Sequence, residues 1–494
     1  MGIVRRQGFY NSVMIYAGMG MGYVNTILLL PRALEIEQAG YYTLFLSMSL
    51  MFAQLPASGI TSLIAKFFPY FRSEDKTHKG FAEIAGLSAM AVFLLFTILY
   101  IAFRDLILGF YLEKSPRLDE YYYLVIPMAF FILWFSIFEV LSRAAYKTVF
   151  ATFLREFLLK FGTAIGLLLV LFGYIGFESF LAFYIIIYGL ICLFLLLQLI
   201  ASGQFRLSWK MQVTREQGKE FLRYGFFTVL AGTPWVLIQK IDVGILGAYA
   251  LPAVLGGYHV YTNMSAAISI PRNALNKVTY QIVSDAWEKQ DLSKIDDIYR
   301  KTSIVQLMLG SLLFVGIIVN RDNLFSLMSN EDYFPYFSLF YFLGLGQLVD
   351  ITGGLNAHII AISPRYKTGT LLVFVACLLC IGLNLLIVPR YGGMGAAFVY
   401  FLTMLLYNLS TWWFLKKEYS LQPFSAKHIY ILLFAGIALF AGWNVPYMGH
   451  VVPDILVRSL ITALVFIVPA LAFRISEDVN GQVQELIKKL GWKR

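Results

Sequence analysis

The chain has 494 residues, 59% of them hydrophobic and only 14% charged, with a mean hydropathy of +0.70 and a formal net charge of +10. A soluble globular domain is roughly 45–50% apolar and about 25% charged, so a soluble enzyme or regulator is excluded. The apolar residues fall in segments of about 20, enough to cross about 30 Å of hydrocarbon as helix, and the fold class is an all-α polytopic membrane protein.

In chain order the apolar spans are 7–30, 39–64, 81–103, 120–142, 157–173, 179–201, 222–247, 255–277, 301–320, 335–361, 368–388, 394–415, 428–446 and 454–473. These predict about 14 transmembrane helices, with connections too short for a soluble domain. If the N-terminus is cytoplasmic, alternate loops and their flanks carry 31 of the 39 Lys and Arg, Arg143, Lys147, Arg155 and Lys160 among them. The opposite side has Arg32, Arg104, Lys114, Arg117, Arg321, Arg390 and Arg458. This positive-inside bias places both termini in the cytoplasm. The basic charge is therefore topology, and no nucleic-acid partner is implied. Span 1 reads as an uncleaved anchor, with no small-residue cleavage site after a short apolar region. Cys192, Cys377 and Cys380 lie within spans and read as packing residues.

Shifting the sequence on itself by 217 residues superimposes the first twelve spans: Gly40-Tyr41 falls on Gly257-Tyr258, and Tyr174 and Gly176 fall on Tyr391 and Gly393. An even repeat gives two like-oriented six-helix bundles, 1–205 and 206–420, followed by an extra helix pair, 421–475, and a cytoplasmic amphipathic tail, 476–494. Like-oriented bundles suggest alternating access around a site between them near mid-membrane. Segment 281–301 also reads as an amphipathic helix, with Val283, Trp287, Leu292, Ile295 and Ile298 on its apolar side. The tail spaces Val479, Val483, Leu486, Ile487 and Leu490 helically, beside basic Lys488 and Lys489, and is expected on the inner leaflet.

No GxxxxGK[ST] phosphate loop is present, so ATP hydrolysis is not expected. The chemistry concentrates in 233–277, which carries Lys240, Asp242, Arg272, Asn273, Asn276 and Lys277 within or beside two spans. A charge at the bilayer centre costs about 2.5–3.5 kcal/mol on insertion scales. Lys240 either snorkels to the headgroups or meets an anion in a cavity; Asp242, nearer the surface, suits a gating pair or an ion site. Pro271 should kink span 8 next to Arg272. Span 2 repeats the design at Pro56, with Gln54 but no arginine. Asp350 is the deepest charge, with Gln347 and His358 nearby, and suits a protonation or Na⁺ site or a structural hydrogen bond. Glu139 suits a pair with Arg143 at i+4, or a coupling role. The acids Glu35 and Glu37 on the first outer loop raise a membrane glycosyltransferase as a remote alternative, against which stands the absence of a large outer loop. No metal site and no cofactor are indicated, and H⁺ or Na⁺ are the available coupling ions.

Pro31-Arg32-Ala33-Leu34 followed by Gly40-Tyr41 resembles the span 1–2 junction of bacterial polysaccharide and O-antigen flippases, in the multidrug/oligosaccharidyl-lipid/polysaccharide exporter superfamily. Asp242, Gly247 and Gly257-Tyr258 resemble that family's span 7–8 junction, and Pro389-Arg390-Tyr391-Gly392-Gly393-Met394-Gly395 resembles its span 11–12 turn. The resemblance implies a flippase carrying an undecaprenyl-pyrophosphate-linked oligosaccharide (O-antigen, capsule or exopolysaccharide repeat unit) across the bacterial inner membrane. It also implies cavity cations such as Arg272 on the pyrophosphate, membrane lipids and polysaccharide polymerase or glycosyltransferase partners, and a monomer. Span 2 lacks a matching arginine and span 1 lacks internal charge, which argues against the peptidoglycan-precursor branch and puts the cations on the second half. A cation-coupled multidrug antiporter of the same superfamily is the alternative. A major facilitator is less consistent, because the span 2–3 loop lacks that family's signature.

Overall fold

The computed structural model describes residues 2–73, 78–145, 147–202 and 214–489; within these helices the side chains of residues 2–9, Leu55, Lys79, Leu230, Ala231, Asn273, Ala274, Lys277, Val278 and 486–489 are not among those described. Among the described residues all regular secondary structure is helical, without strands. Among the described residues ten helices are long and apolar enough to cross a membrane, and the bent Ile36–Phe71 makes an eleventh. One of the ten, Tyr366–Tyr419, holds two of the expected spans joined at Gly392, whose φ of 54° and ψ of −133° break the helix. The Arg365–Glu418 ion pair (2.7 Å) joins the two far ends, so this element is a hairpin. The expected spans 157–173 and 255–277 lie on helices 148–171 and 252–288, whose polar and charged residues keep them out of the ten. Each of the fourteen apolar segments thus falls on helix, and the protein is a multi-pass membrane protein.

The chain divides into two compact units, residues 1–260 with 388–393, and 261–387 with 394–494. This grouping differs from the sequence repeat, because the Arg215–Tyr249 helix packs in the first unit, against Ile36–Phe71. Ile36–Phe71 is the centre of that unit and also packs against Leu118–Ala144. It bends by 46° between Gln54 and Pro56, where the proline has no N–H to give and its ring crowds the preceding turn. The bend opens on an apolar cavity of about 500 Å³ lined by Pro56, Gly59, Ile84, Phe221 and Val229.

In the second unit Ile304, Leu307 and Val315 of Leu292–Val319 pack with Ile431 and Ala438 of Ala426–Trp443 and Phe466 and Ala470 of Val451–Ala472. A polar clamp fixes the Val451–Ala472 helix at its start. Asp454, fully buried, takes hydrogen bonds from Arg458 (3.1 Å), the Met448 N–H (3.0 Å) and Asn323, and Arg458 also donates to the Gly442 carbonyl (3.0 Å). A second cluster joins Val283, Ile295 and Tyr299 to Leu355, Ile359 and Leu415.

That cluster corrects the reading of 281–301 as one amphipathic helix. The segment is the end of Ile270–Glu288 and the start of Leu292–Val319, reversed at Gln290 (φ 56°). Val283 and Ile295 are buried in the protein, while Leu292 is exposed. The tail is helical over Glu477–Lys489, and Val479 packs against the Ile304–Phe466 cluster. The expectations for Leu486, Ile487, Lys488, Lys489 and Leu490 lie outside the described side chains. The three cysteines are buried and form no disulfide, and Cys380 Sγ accepts from Asn384 Nδ2 (3.4 Å).

Candidate functional site

Two irregular helices build the site, from residues that belong to the second unit. Helix 252–288 tightens into a 3₁₀ turn over Ala267–Ser269 and resumes with Pro271 in its first turn, a position where the missing N–H costs nothing. Opposite, the expected span 335–361 is discontinuous: Glu331–Thr352 ends, Gly353 and Gly354 turn the chain, and Asn356–Ile362 begins. Gly354 has φ +61°, which favours glycine. A Cβ on Gly353 would lie 2.1 Å from Asn408 Oδ1, so only glycine lets that amide in. Discontinuous membrane helices expose backbone groups where ligands and ions bind.

Arg272, in the resumed helix, forms an ion pair with Asp350 in the last turn before the break; their side chains are 23% and 10% exposed. Each charge alone would cost about 2.5–3.5 kcal/mol at the bilayer centre, and pairing offsets much of that. Asn408 approaches the other carboxylate oxygen (3.5 Å) while donating to the Met404 carbonyl (2.9 Å). Asn356 donates to Asn408 Oδ1 (2.8 Å) and Thr411 Oγ1 (2.7 Å), and its own oxygen takes the Ala357 N–H (2.7 Å). The Thr352 carbonyl freed at the break accepts from Ser303 Oγ (2.6 Å). Ser303 therefore accepts from His428 Nε2 (2.9 Å), while His428 Nδ1 accepts the Ser425 N–H (3.2 Å), which fixes the imidazole tautomer. The carbonyl freed at the break is thus satisfied by a side chain from another helix, itself held by His428.

The other anticipated residues are placed as follows. Asn276 donates to His358 Nε2 (3.1 Å), one turn from Arg272, and Gln347 donates to the Tyr400 hydroxyl (2.9 Å). The side chains of Asn273 and Lys277 lie outside those described. Lys240, Asp242, Gln54 and Glu139 belong to the first unit. Lys240 and Gln54 are half-buried there. Asp242 is buried, with the Tyr258 hydroxyl and the Val243 N–H (2.8 Å) donating to its carboxylate, so it ties Arg215–Tyr249 to the next helix. Tyr258→Phe is expected to lower stability by about 1–3 kcal/mol, the cost of leaving a buried acceptor short of its donor, read as thermal unfolding in detergent. Glu139 pairs with Arg143 (3.4 Å) as expected, and more closely with Arg155 (2.8 Å). Glu35 starts Ile36–Phe71, its N–H donating to Gln38 Oε1 (3.2 Å).

Thr411, Ser303 and His428 were not singled out in the sequence, whereas Asn356 stood out beside Asp350 and Asn408 read as a helix–helix contact. Gly353-Gly354 inside an apolar span was the available signal, since paired glycines there mark a break. Beside the Arg272 turn, a cavity of about 1010 Å³ runs from Pro271, Leu275 and Thr279 to Lys301 and the tail residues Glu477, Asp478 and Glu485. The site is a buried ion pair set in an amide network at two helix breaks, with space next to it.

The chain is similar to several solved transporters. It matches the lipid II flippase MurJ in an inward closed conformation with a TM-score of 0.72 at 15% identity, covering 94% of this chain and 98% of that one. An inward-facing multidrug resistance transporter of the MATE family, in the MOP superfamily, gives 0.64 at 13% identity over 82% and 94%. A MOP superfamily transporter from Pyrococcus furiosus gives 0.55 at 14% over 83% and 95%. At these identities the likeness shows the fold alone. No curated protein matches the chain. Residues 4–287 match the sequence model of the family described as "Polysaccharide biosynthesis protein". That match covers more than half of the sequence, and the chain belongs to the polysaccharide biosynthesis protein family.

Proposed function

We propose that the protein is a flippase moving a polyprenyl-pyrophosphate-linked oligosaccharide from the inner to the outer leaflet of the bacterial inner membrane, with both termini cytoplasmic, by alternating access without ATP hydrolysis. The observation that carries the reading is the Arg272–Asp350 pair beside two helix breaks. It is a cation held in the membrane by a releasable counter-ion. Arginine presents a planar fork of N–H donors that matches a phosphate's oxygens. A pyrophosphate arriving at Arg272 takes the place of the carboxylate, so the charge is compensated in both the empty and the loaded carrier. Family membership supports the polysaccharide substrate, and the fold shared with a lipid II flippase supports lipid-linked cargo. An inside-negative potential contributes about 2.3 kcal/mol per charge per 100 mV to outward movement of an anion. H⁺ or Na⁺ coupling at Asp350, and polymerase or glycosyltransferase partners, are further parts of the proposal.

The test is transfer of a polyprenyl-pyrophosphate oligosaccharide across vesicles containing the purified protein, without ATP and under an imposed potential. Net transfer that grows with the potential is the expected result. Absence of transfer, together with proton- or Na⁺-driven efflux of organic cations, would replace the reading with the multidrug antiporter, for which the MATE-like fold is the supporting observation.

A further inference from the structure

Leu292–Val319 packs against both Ile270–Glu288 and Ser338–Thr352, the helices that carry Arg272 and Asp350. Its Ser303 donates to the Thr352 carbonyl (2.6 Å), and a Cβ on Gly310 would meet the Leu348 and Ile351 side chains. Gln306 shares that face, three residues after Ser303 and four before Gly310, which sets it level with Asp350. On its flank Thr302 and Leu309 line the cavity with Pro271 and Leu275. Gln306 is thus placed between the two helices that the Arg272–Asp350 pair joins.

The Gln306 side chain is 0% exposed, and among the described residues neither its Oε1 nor its Nε2 has a hydrogen-bond partner. Its neighbours are satisfied: Thr302 donates to the Ile298 carbonyl (2.7 Å) and Ser303 to Thr352. Burying an amide unpaired is costly, and an apolar residue of the same size would avoid the cost. A polar group kept at that cost calls for a partner in another state of the protein. Asp350 needs such a partner once it leaves Arg272. Asn408 stands 3.5 Å from one carboxylate oxygen and already donates to the Met404 carbonyl (2.9 Å), so it is a weak substitute for the guanidinium. A glutamine amide offers two N–H donors and no charge, which suits a carboxylate that is held and then given back.

We propose that Gln306 is a positioning residue for the ion pair: its amide receives the Asp350 carboxylate when Arg272 turns to an incoming anion. The carboxylate then has a donor in both states, bonded to Arg272 in the empty carrier and to Gln306 in the loaded one. Gln306 touches no cargo in this scheme. The identity of the anion rests on the flippase reading above; the exchange itself does not.

The test is a double-mutant cycle on the full-length protein, read as unfolding temperature in detergent. Arg272→Met stands in for the released state, because Asp350 has lost its cation there. Gln306→Met keeps the side-chain volume and removes the amide. In the wild-type background it is expected to leave the unfolding temperature unchanged or raise it. In Arg272→Met it should lower that temperature by a few degrees, and in Asp350→Leu the wild-type behaviour should return. The same effect in the wild-type and Arg272→Met backgrounds, as an amide satisfied by internal water would give, overturns the proposal. Binding of polyprenyl pyrophosphate and of polyprenol in nanodiscs gives a second readout that does not require Arg272→Met to fold. Gln306→Met should weaken pyrophosphate binding by about tenfold or more, the scale of one hydrogen bond to a charged group, and leave polyprenol binding unchanged. Unchanged pyrophosphate affinity, in a protein that prefers the pyrophosphate to polyprenol, overturns the proposal as well. Wild-type protein that binds both equally sinks the flippase reading, and the unfolding cycle then decides the role of Gln306 alone.

Discussion

Arg272→Ala is expected to reduce transfer of a pyrophosphate-linked oligosaccharide by about 10- to 100-fold at normal expression, the scale of losing charged hydrogen bonds to the cargo. Arg272→Lys keeps the charge and loses the fork, and should retain partial activity. Stability should move differently. Asp350→Ala leaves a guanidinium, 23% exposed in the native pair, without its counter-ion, and is expected to cost about 3–5 kcal/mol. Replacing both partners, as Arg272→Met with Asp350→Leu, should recover most of that stability while transport stays lost. Thermal unfolding in detergent and vesicle transfer, measured on the same four proteins, separate the two roles. Full activity in Arg272→Ala, or a double variant that transports, would reduce the pair to a structural bridge. Asp350→Asn adds the coupling arm: a pH or Na⁺ dependence of transfer that survives it cannot reside at this carboxylate.

The largest effect on stability alone is expected at the clamp of the final helix pair. Arg458→Ala leaves the fully buried Asp454 with its amide donors but no cation, at a cost of about 3–5 kcal/mol. The comparison is Lys301→Ala, whose Asp297 partner is exposed; there the change should stay within about 1 kcal/mol. Equal unfolding temperatures for the two variants would show that the clamp adds nothing to the helix pair. Because neither arginine nor aspartate here lies near Arg272 in sequence or network, transport per folded molecule should be unaffected by Arg458→Ala.

The fold was largely readable because hydropathy acts over whole spans: about 20 consecutive apolar residues leave the backbone few choices in lipid. Each of the fourteen segments lies on helix for that reason. Boundaries were less readable where charge and helix overlap. Arg155 falls outside the expected span 157–173 when only hydropathy is weighed, yet the helix starts at Thr148, and Glu139 and Glu156 pair with Arg155 and Lys160. The pairing of Glu139 with Arg143 followed from i, i+4 spacing, but Arg155 comes from another helix and no spacing announces it. The same limit applies to Arg272 and Asp350. Each was picked out singly as an expensive charge, yet they are 78 positions apart, and only tertiary structure reveals that each is the other's counter-ion. Segment 281–301 misled because its apolar residues keep a helical spacing on both sides of the reversal at Gln290, so the period alone does not reveal the break.

The hairpin closed by Gly392 has a consequence for biosynthesis. Its two apolar arms are joined without a loop, and Arg365 and Glu418 bind each other at the open end. Neither arm can therefore settle at a depth or orientation of its own, and the pair has to enter the bilayer together. Lys367 near one open end and Lys416 and Lys417 near the other then act as a single topogenic signal on one side. A bulky residue at Gly392, where φ is positive, would strain the bend itself and expose its products to membrane quality control before the Arg272–Asp350 pair had formed.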